Sequence, residues 1–88
     1  MKIIITSSCK KSIKRLNAAD KKTLDKGVKA IAADPGIGDP KKGDLSGVYT
    51  VAFKFQGAQH RLAYQFTKTE LTLLAFGSRE NFYKRLKR

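Results

Sequence analysis

Two stretches on either side of Gln56-Gly57 place a large side chain at every second position, and this pattern restricts the fold more than any other feature of the sequence. The two sets are Tyr49, Val51, Phe53 and Phe55, and then His60, Leu62, Tyr64 and Phe66. Successive side chains of a strand point to opposite faces, so the pattern predicts a β-hairpin with both sets facing the core. A turn of two residues (56–57) or of four (56–59) preserves this arrangement, whereas three residues would require a bulge.

Two cations interrupt these otherwise apolar runs. Under either turn length, Lys54 and Arg61 emerge on the face opposite the aromatic residues, diagonal to each other or directly opposed. Like charges paired across two strands are destabilising, so this placement requires either full solvation or an anion between them. Two interpretations stay open at this point: long cations whose stems cover a wet sheet face, or an anion-binding site.

The remaining elements follow from shorter signals along the chain. Residues 3–6 are β-branched and predict a strand that leads into a helix with Cys9, Ile13 and Leu16 on one face. A second helix is predicted over residues 20–33, with Asn17 ending or re-capping the first, and residues 34–44 contain both prolines and predict a loop. Residues 70–76 predict an interior strand, and Ser78 is a candidate N-cap for a short helix over residues 79–86.

These elements predict an α+β fold, with two N-terminal helices packed on a small antiparallel-rich sheet of about four strands and a short C-terminal helix. With 88 residues, the chain is expected to form one domain over residues 1–88.

The net charge of +12, from 19 basic and 7 acidic residues, predicts strong attraction to polyanions. One cysteine and one histidine exclude an internal disulfide and provide no metal-ligand set, so no metal or other cofactor is expected. Without a signal-peptide core or a membrane-length apolar run, we expect a cytoplasmic protein with no membrane partner.

Three short motifs, together with the order of the elements, resemble the RelE/ParE superfamily of toxins from bacterial type II toxin-antitoxin systems. The motifs are Asp44-Leu-Ser-Gly-Val-Tyr, His60-Arg-Leu-Ala-Tyr and Phe76-Gly-Ser-Arg-Glu-Asn-Phe-Tyr. The resemblance covers essentially the whole chain and implies a cognate antitoxin protein as partner. It also implies one of two activities, because the RelE-like branch cleaves messenger RNA in the ribosomal A site, whereas the ParE-like branch poisons DNA gyrase.

The resemblance also assigns a candidate active site. The positions that match the RelE-like catalytic set are Lys54, Arg61, Arg79 and Tyr83. This set would cleave RNA through attack of its own 2′-OH and would need no metal. Two departures from the family pattern are Ala52, where many RelE-like toxins have a second lysine, and the short spacing from Arg79 to Tyr83. His60 adjoins Arg61 in the sequence, but in the period-two pattern it falls on the core-facing side of the strand. This position favours a core histidine over a catalytic one.

The resemblance therefore implies a ribosome-dependent messenger-RNA endonuclease that inhibits translation. Further cations are expected to dock the protein on ribosomal RNA by releasing counterions. They are Lys10, Lys11, Lys14, Arg15, Lys21, Lys22, Lys84 and Arg85. Two alternatives remain open: a gyrase inhibitor of the same fold, and a basic RNA-binding module without enzymatic activity.

Overall fold

A computed structural model describes residues 1–55 and 58–78. Its helices are α1 (Ser7–Lys14) and α2 (Ala18–Ala33), and its strands are β1 (Lys2–Ile5), β2 (Asp39–Pro40), β3 (Tyr49–Phe55), β4 (Ala58–Phe66) and β5 (Glu70–Ser78). Single 3₁₀ turns occupy Pro35–Ile37 and Gly43–Leu45. The predicted α+β class, with two N-terminal helices on a sheet, is confirmed.

Both helices begin at side-chain caps. The Thr6 hydroxyl accepts a hydrogen bond from the Cys9 backbone N–H at 3.3 Å, and the Asn17 side chain accepts one from the Asp20 N–H at 2.8 Å. Each bond satisfies one of the N–H groups that a helix start leaves without an intrahelical partner. Because Asn17 caps the second helix, α2 starts at Ala18, two residues earlier than the sequence pattern predicted.

The five strands form one mixed sheet in the order β1-β5-β4-β3-β2, in which β1 runs parallel to β5. The prediction of an interior strand near residue 70 is confirmed, since β5 lies between β1 and β4. The described part of the chain has five strands, where the sequence predicted about four. The additional strand is β2, which falls in the segment predicted to be only a loop. Pro40 is tolerated there because β2 is an edge strand, so a residue whose N–H would point away from β3 can lack that donor.

The helices pack on one face of the sheet and form the main core with the large side chains of the hairpin. Its buried members are Cys9, Leu24, Val28, Ile31, Phe53, Phe55, Leu62, Tyr64, Leu71, Leu73 and Phe76. The period-two pattern therefore identified the core face of β3 and β4 correctly. A smaller cluster of Val48, Ala63 and Ala75, with Leu45 and Leu74 against it, lies apart from this core.

Strand β5 is longer than expected and ends at Ser78, which pairs with His60 of β4. Ser78 was predicted to lie after the strand as a helix cap, but here it is the last strand residue. The predicted C-terminal helix over residues 79–86 lies outside the described residues. A register shift at Ala63/Tyr64 lets β5 accommodate one extra residue opposite β4.

Neither α1 nor α2 is long and apolar enough to span a bilayer, and no other helix in the described ranges is.

Candidate active site

Lys54 and Arg61 lie diagonal to each other on the hairpin of β3 and β4. Lys54 pairs with Gln59 and Arg61 pairs with Ala52, while the last pair before the turn is Phe55 with Ala58. This register leaves two residues between the strands, so it selects the shorter of the two turns that the sequence allowed. Diagonal neighbours have their Cβ atoms roughly 7–8 Å apart, a span that long side chains can bridge through a shared anion.

Arg61 lies between two residues with little or no side chain. Its register partners are Ala52 on β3 and Gly77 on β5, so no bulky group flanks it on either side. Arg61 is half-buried, and its Nε is enclosed without a hydrogen-bond partner among the described residues. A buried donor without a partner costs about 1–3 kcal/mol, so an acceptor that reached this guanidinium would be bound favourably.

Lys54 is exposed near the turn end of the same face. It lines an open cavity of about 400 Å³ together with Ala52, Phe53 and Gln59. The alanine at position 52 contributes to this space, since the second lysine of many RelE-like toxins would point into the same region. Gln59 was not singled out from the sequence, although the two-residue turn already predicted that it would face Lys54.

His60 points to the opposite side of the sheet, as its parity predicted. Its ring stacks on Phe76 at 5.3 Å between centroids and contacts Phe55 at 5.1 Å. Its Nδ1 is buried without a hydrogen-bond partner in the described part of the chain. Together with Ser12, Arg15, Leu16, Phe76, Gly77 and Ser78, His60 lines a cavity of about 200 Å³ between the end of α1 and the sheet. It therefore lies across the sheet from Lys54 and Arg61.

The other two predicted catalytic residues, Arg79 and Tyr83, lie outside the described residues, as do Lys84 and Arg85 of the predicted docking set. The described chain ends close to the candidate site, because Gly77 is the register partner of Arg61 and Ser78 follows it. The structure therefore brings Lys54 and Arg61 together, and the assignment of Arg79 and Tyr83 remains a prediction from the sequence.

The predicted docking cations of the helices are exposed and lie on the other layer of the molecule. They are Lys10, Lys11, Lys14, Arg15, Lys21 and Lys22. Because α1 and α2 cover the aromatic face of the sheet, these side chains lie on the far side from Lys54 and Arg61. Within residues 1–55 and 58–78, cations thus lie both on the helices and on the hairpin.

Two buried side chains of the core, Cys9 and Tyr64, have raised pKa values. Burial raises the pKa of the Cys9 thiol to about 11, because the thiolate would lose its hydration. Burial also raises the pKa of Tyr64, against a partial lowering by the hydrogen bond from the Gly38 N–H. No group of three or more His, Cys, Asp or Glu side chains within residues 1–55 and 58–78 has the arrangement of a metal site.

Comparison with known proteins identifies a family whose sequence model matches most of this chain. A sequence model described as "ParE-like toxin of type II bacterial toxin-antitoxin system" matches residues 3–87. Among curated proteins, no match was found.

Several solved structures share the fold. The toxin-antitoxin complex RelBE2 from Mycobacterium tuberculosis aligns with a TM-score of 0.72 at 17% identity, over 89% of this chain and 96% of that chain. The intact E. coli RelBE complex aligns with a TM-score of 0.69 at 18% identity, over 86% and 93% of the two chains. A double arginine-to-alanine mutant of E. coli RelE in the free state gives 0.75 at 17% identity, over 99% and 95%. At these identities the likeness shows a common fold.

Proposed function

Because this chain belongs to the ParE-like toxin family of type II bacterial toxin-antitoxin systems, we propose that it is a toxin that cleaves messenger RNA on the ribosome. One observation carries the choice of reaction. Lys54 and the half-buried Arg61 share the face of the hairpin that points away from the helices, and the cross-strand partners of Arg61 are Ala52 and Gly77. This is an arrangement that suits a phosphodiester, whose charge increases as it is attacked.

The proposed reaction is a transesterification within the RNA. The 2′-oxygen loses its proton and bonds to the neighbouring phosphorus, and the bond from phosphorus to the 5′-oxygen breaks as that oxygen takes up a proton. Lys54 and Arg61 would stabilise the additional negative charge on the phosphorane, which fixed cations do best where solvation is reduced. Such stabilisation acts mainly on the transition state, so it raises the rate more than the affinity.

The proton transfers are assigned to the two residues that the family resemblance predicts. Tyr83 would accept the proton of the 2′-OH, which requires nearby cations to favour its phenolate. Arg79 would stabilise or protonate the leaving 5′-oxygen. Gly77 is the register partner of Arg61, and Arg79 follows Gly77 by two positions in the sequence. This short separation along the chain supports a role for Arg79 at the proposed phosphate site.

Docking on the ribosome is assigned to the cations of α1 and α2. With a net charge of +12, the protein is strongly attracted to RNA, and each phosphate contact releases condensed counterions. Since the helix cations lie on the far side of the sheet from Lys54 and Arg61, ribosomal RNA and the scissile message would contact different faces. Such a division lets one region bind while the other performs the reaction.

Inhibition of DNA gyrase is the second candidate function. Two observations favour it: the matching family is described as ParE-like, and Ala52 stands where many RelE-like toxins have a second lysine. In this case Lys54 and Arg61 would contact gyrase or its DNA, and no RNA bond would break.

A cognate antitoxin is the expected protein partner in either case. The M. tuberculosis RelBE2 and intact E. coli RelBE structures are complexes of a toxin with its antitoxin. The net charge of +12 favours a partner segment rich in carboxylates, which can pair with exposed cations such as those of the helices. With the ribosome or gyrase as target, we propose the cytoplasm as the site of action.

The purified protein, tested in a translation extract with one defined message and in parallel in a gyrase supercoiling assay, separates the two functions. The proposal predicts fragments of the message that form only when ribosomes are present, with supercoiling unaffected. Inhibited supercoiling with an intact message would establish the second candidate instead.

A further inference from the structure

Gln59 lies next to two of the proposed catalytic residues, Lys54 and Arg61, but is not itself a member of the catalytic set. It lies directly across from Lys54 in the β3/β4 register, which places the two Cβ atoms about 4.5–5.5 Å apart. On its own strand it lies two residues before Arg61, about 7 Å away and on the same face. Its side chain is exposed and lines the cavity of about 400 Å³ beside Lys54 and Ala52.

The side-chain amide of Gln59 has no hydrogen-bond partner in the described structure. Its side chain makes no hydrogen bond with residues 1–55 or 58–78, in contrast to Asn17, whose side chain caps α2. The space beside it is kept open by Ala52, and Lys54 and Arg61 already provide the charge that a phosphate needs. A neutral amide beside two cations is therefore suited to a different part of a nucleotide.

The base is the part that matches an amide. A glutamine side chain offers one donor and one acceptor side by side, and adenine presents the complementary pair at N6 and N7. Adenine also presents such a pair on its Watson–Crick edge, at N6 and N1, whereas guanine, cytosine and uracil present one on their Watson–Crick edge alone, so adenine is the base that can pair with the amide through either edge. In single-stranded RNA the bases can unstack and expose these edges to a protein side chain.

We propose that Gln59 is a specificity-determining residue that binds an adenine base adjacent to the scissile phosphate held by Lys54 and Arg61. This inference rests on the proposed messenger-RNA cleavage and adds a substrate preference to it. Gln59 takes no part in bond breaking, so its removal changes which sites are cut and not whether cutting occurs.

The test compares cleavage sites for the wild type, Gln59→Ala and the matched control Gln65→Ala. Gln65 is an exposed glutamine of the same strand and face, about 20 Å further along β4. A message with adenine, guanine, uracil or cytosine at otherwise identical positions is translated with each protein, and the fragment ends are mapped. We expect the wild type and Gln65→Ala to favour adenine-containing sites by about 10-fold, and Gln59→Ala to lose that preference. Gln59→Ala should still cut the message, and its loss of rate should be larger at adenine-containing sites than at the others.

The outcomes distinguish this inference from the proposed function. If Gln59→Ala cuts the message with the wild-type distribution of sites, the role of Gln59 is wrong while the nuclease function stands. If Gln59→Ala loses cleavage equally at all four bases, Gln59 acts in the reaction or in folding, and the assignment of specificity is also wrong. If the wild type cuts no message on the ribosome, the proposed function itself fails.

Discussion

Gly27 of α2 lies against the ring of Phe53 of β3 so closely that a side chain at position 27 does not fit. A Cβ there would come within 2.6 Å of Phe53 Cζ, closer than real Cβ contacts. The ring has little freedom to move away, since it stacks on Phe55 at 5.9 Å and meets the edge of Phe76 at 6.5 Å. The glycine that weakens α2 by propensity therefore lets the helix approach the sheet that carries Lys54.

Gly27→Ala is expected to destabilise the protein by about 1–3 kcal/mol through overpacking. Helix propensity alone predicts the opposite sign, a gain of about 1 kcal/mol. Urea denaturation of the wild type and the variant measures the difference, with Lys26→Ala as an exposed control on the same helix that should stay within about 0.5 kcal/mol. A Gly27→Ala protein that is more stable than the wild type would show that the Phe53 ring moves aside.

Tyr64 ties the loop after α2 to the centre of the sheet. Its hydroxyl accepts a hydrogen bond from the Gly38 N–H at 3.0 Å and donates one to the Pro35 carbonyl at 2.7 Å. Tyr64→Phe would leave both backbone groups without this partner, and we expect a loss of about 1–3 kcal/mol. Tyr49→Phe is the control, because Tyr49 stacks on Tyr64 at 5.8 Å but its hydroxyl makes no hydrogen bond with a described residue. Equal stabilities of the two variants in thermal denaturation would contradict the role of this hydroxyl.

Alkaline pH is expected to lower the stability of the folded protein, partly because the buried thiol of Cys9 ionises more readily in the unfolded chain. The folded-state pKa of this buried thiol is raised from 9.0 to about 11, so the unfolded chain releases the proton first. The stabilising effect is complete below about pH 9 and is lost as pH rises towards 11, by up to about 2–3 kcal/mol. Burial also raises the pKa of Tyr64, which adds to the loss above about pH 10.

Cys9→Ala isolates the contribution of the thiol. The variant is expected to be less stable at neutral pH but to lose less stability between pH 9 and 11 than the wild type. Denaturation curves at intervals of half a pH unit provide the two slopes. Parallel slopes would mean that the thiolate is as well accommodated in the folded protein as in water.

The hairpin face of the candidate site was predictable because its signal is local. Alternation with period two placed Phe53 and Phe55 inside and Lys54 outside, and the register confirms that placement. The turn length stayed open in the sequence, since two and four residues preserve the same parity. Only the pairing of Phe55 with Ala58 decides between them, and that makes Lys54 and Arg61 diagonal.

Features that depend on distant contacts were not predictable. No local pattern indicates that Ile3 pairs in parallel with Leu71, or that Asp39-Pro40 forms an edge strand against β3. The need for glycine at position 27 appears only when its neighbour Phe53 is known, and likewise Gly38 is required by the approach of the Tyr64 hydroxyl. Strand β5 continues through Gly77-Ser78 because β4 extends far enough to pair with both residues.

The lysines of α1 provide a test of ribosome docking that is separate from catalysis. Lys10→Gln combined with Lys14→Gln removes two exposed charges from one helix, and we expect the salt dependence of ribosome binding to fall by up to about two in the log–log slope. Lys42→Gln combined with Lys68→Gln removes the same charge from two loops and should leave the slope nearer to that of the wild type. Identical slopes for the two double variants would mean that net charge, and not the α1 surface, governs binding.

Cleavage of a defined message by Arg61→Ala in a ribosome-containing extract tests the central claim most directly. Lys68→Ala, which removes an exposed cation from the β4–β5 turn, is the matched control. Because Arg61 is assigned to charge that develops in the transition state, we expect cleavage to fall by about 100-fold or more, with the fold and ribosome binding retained. Lys54→Ala should show a smaller loss, and Lys68→Ala should cleave like the wild type. Cleavage by folded, ribosome-bound Arg61→Ala at the wild-type rate would contradict the assignment of the hairpin face as the active site.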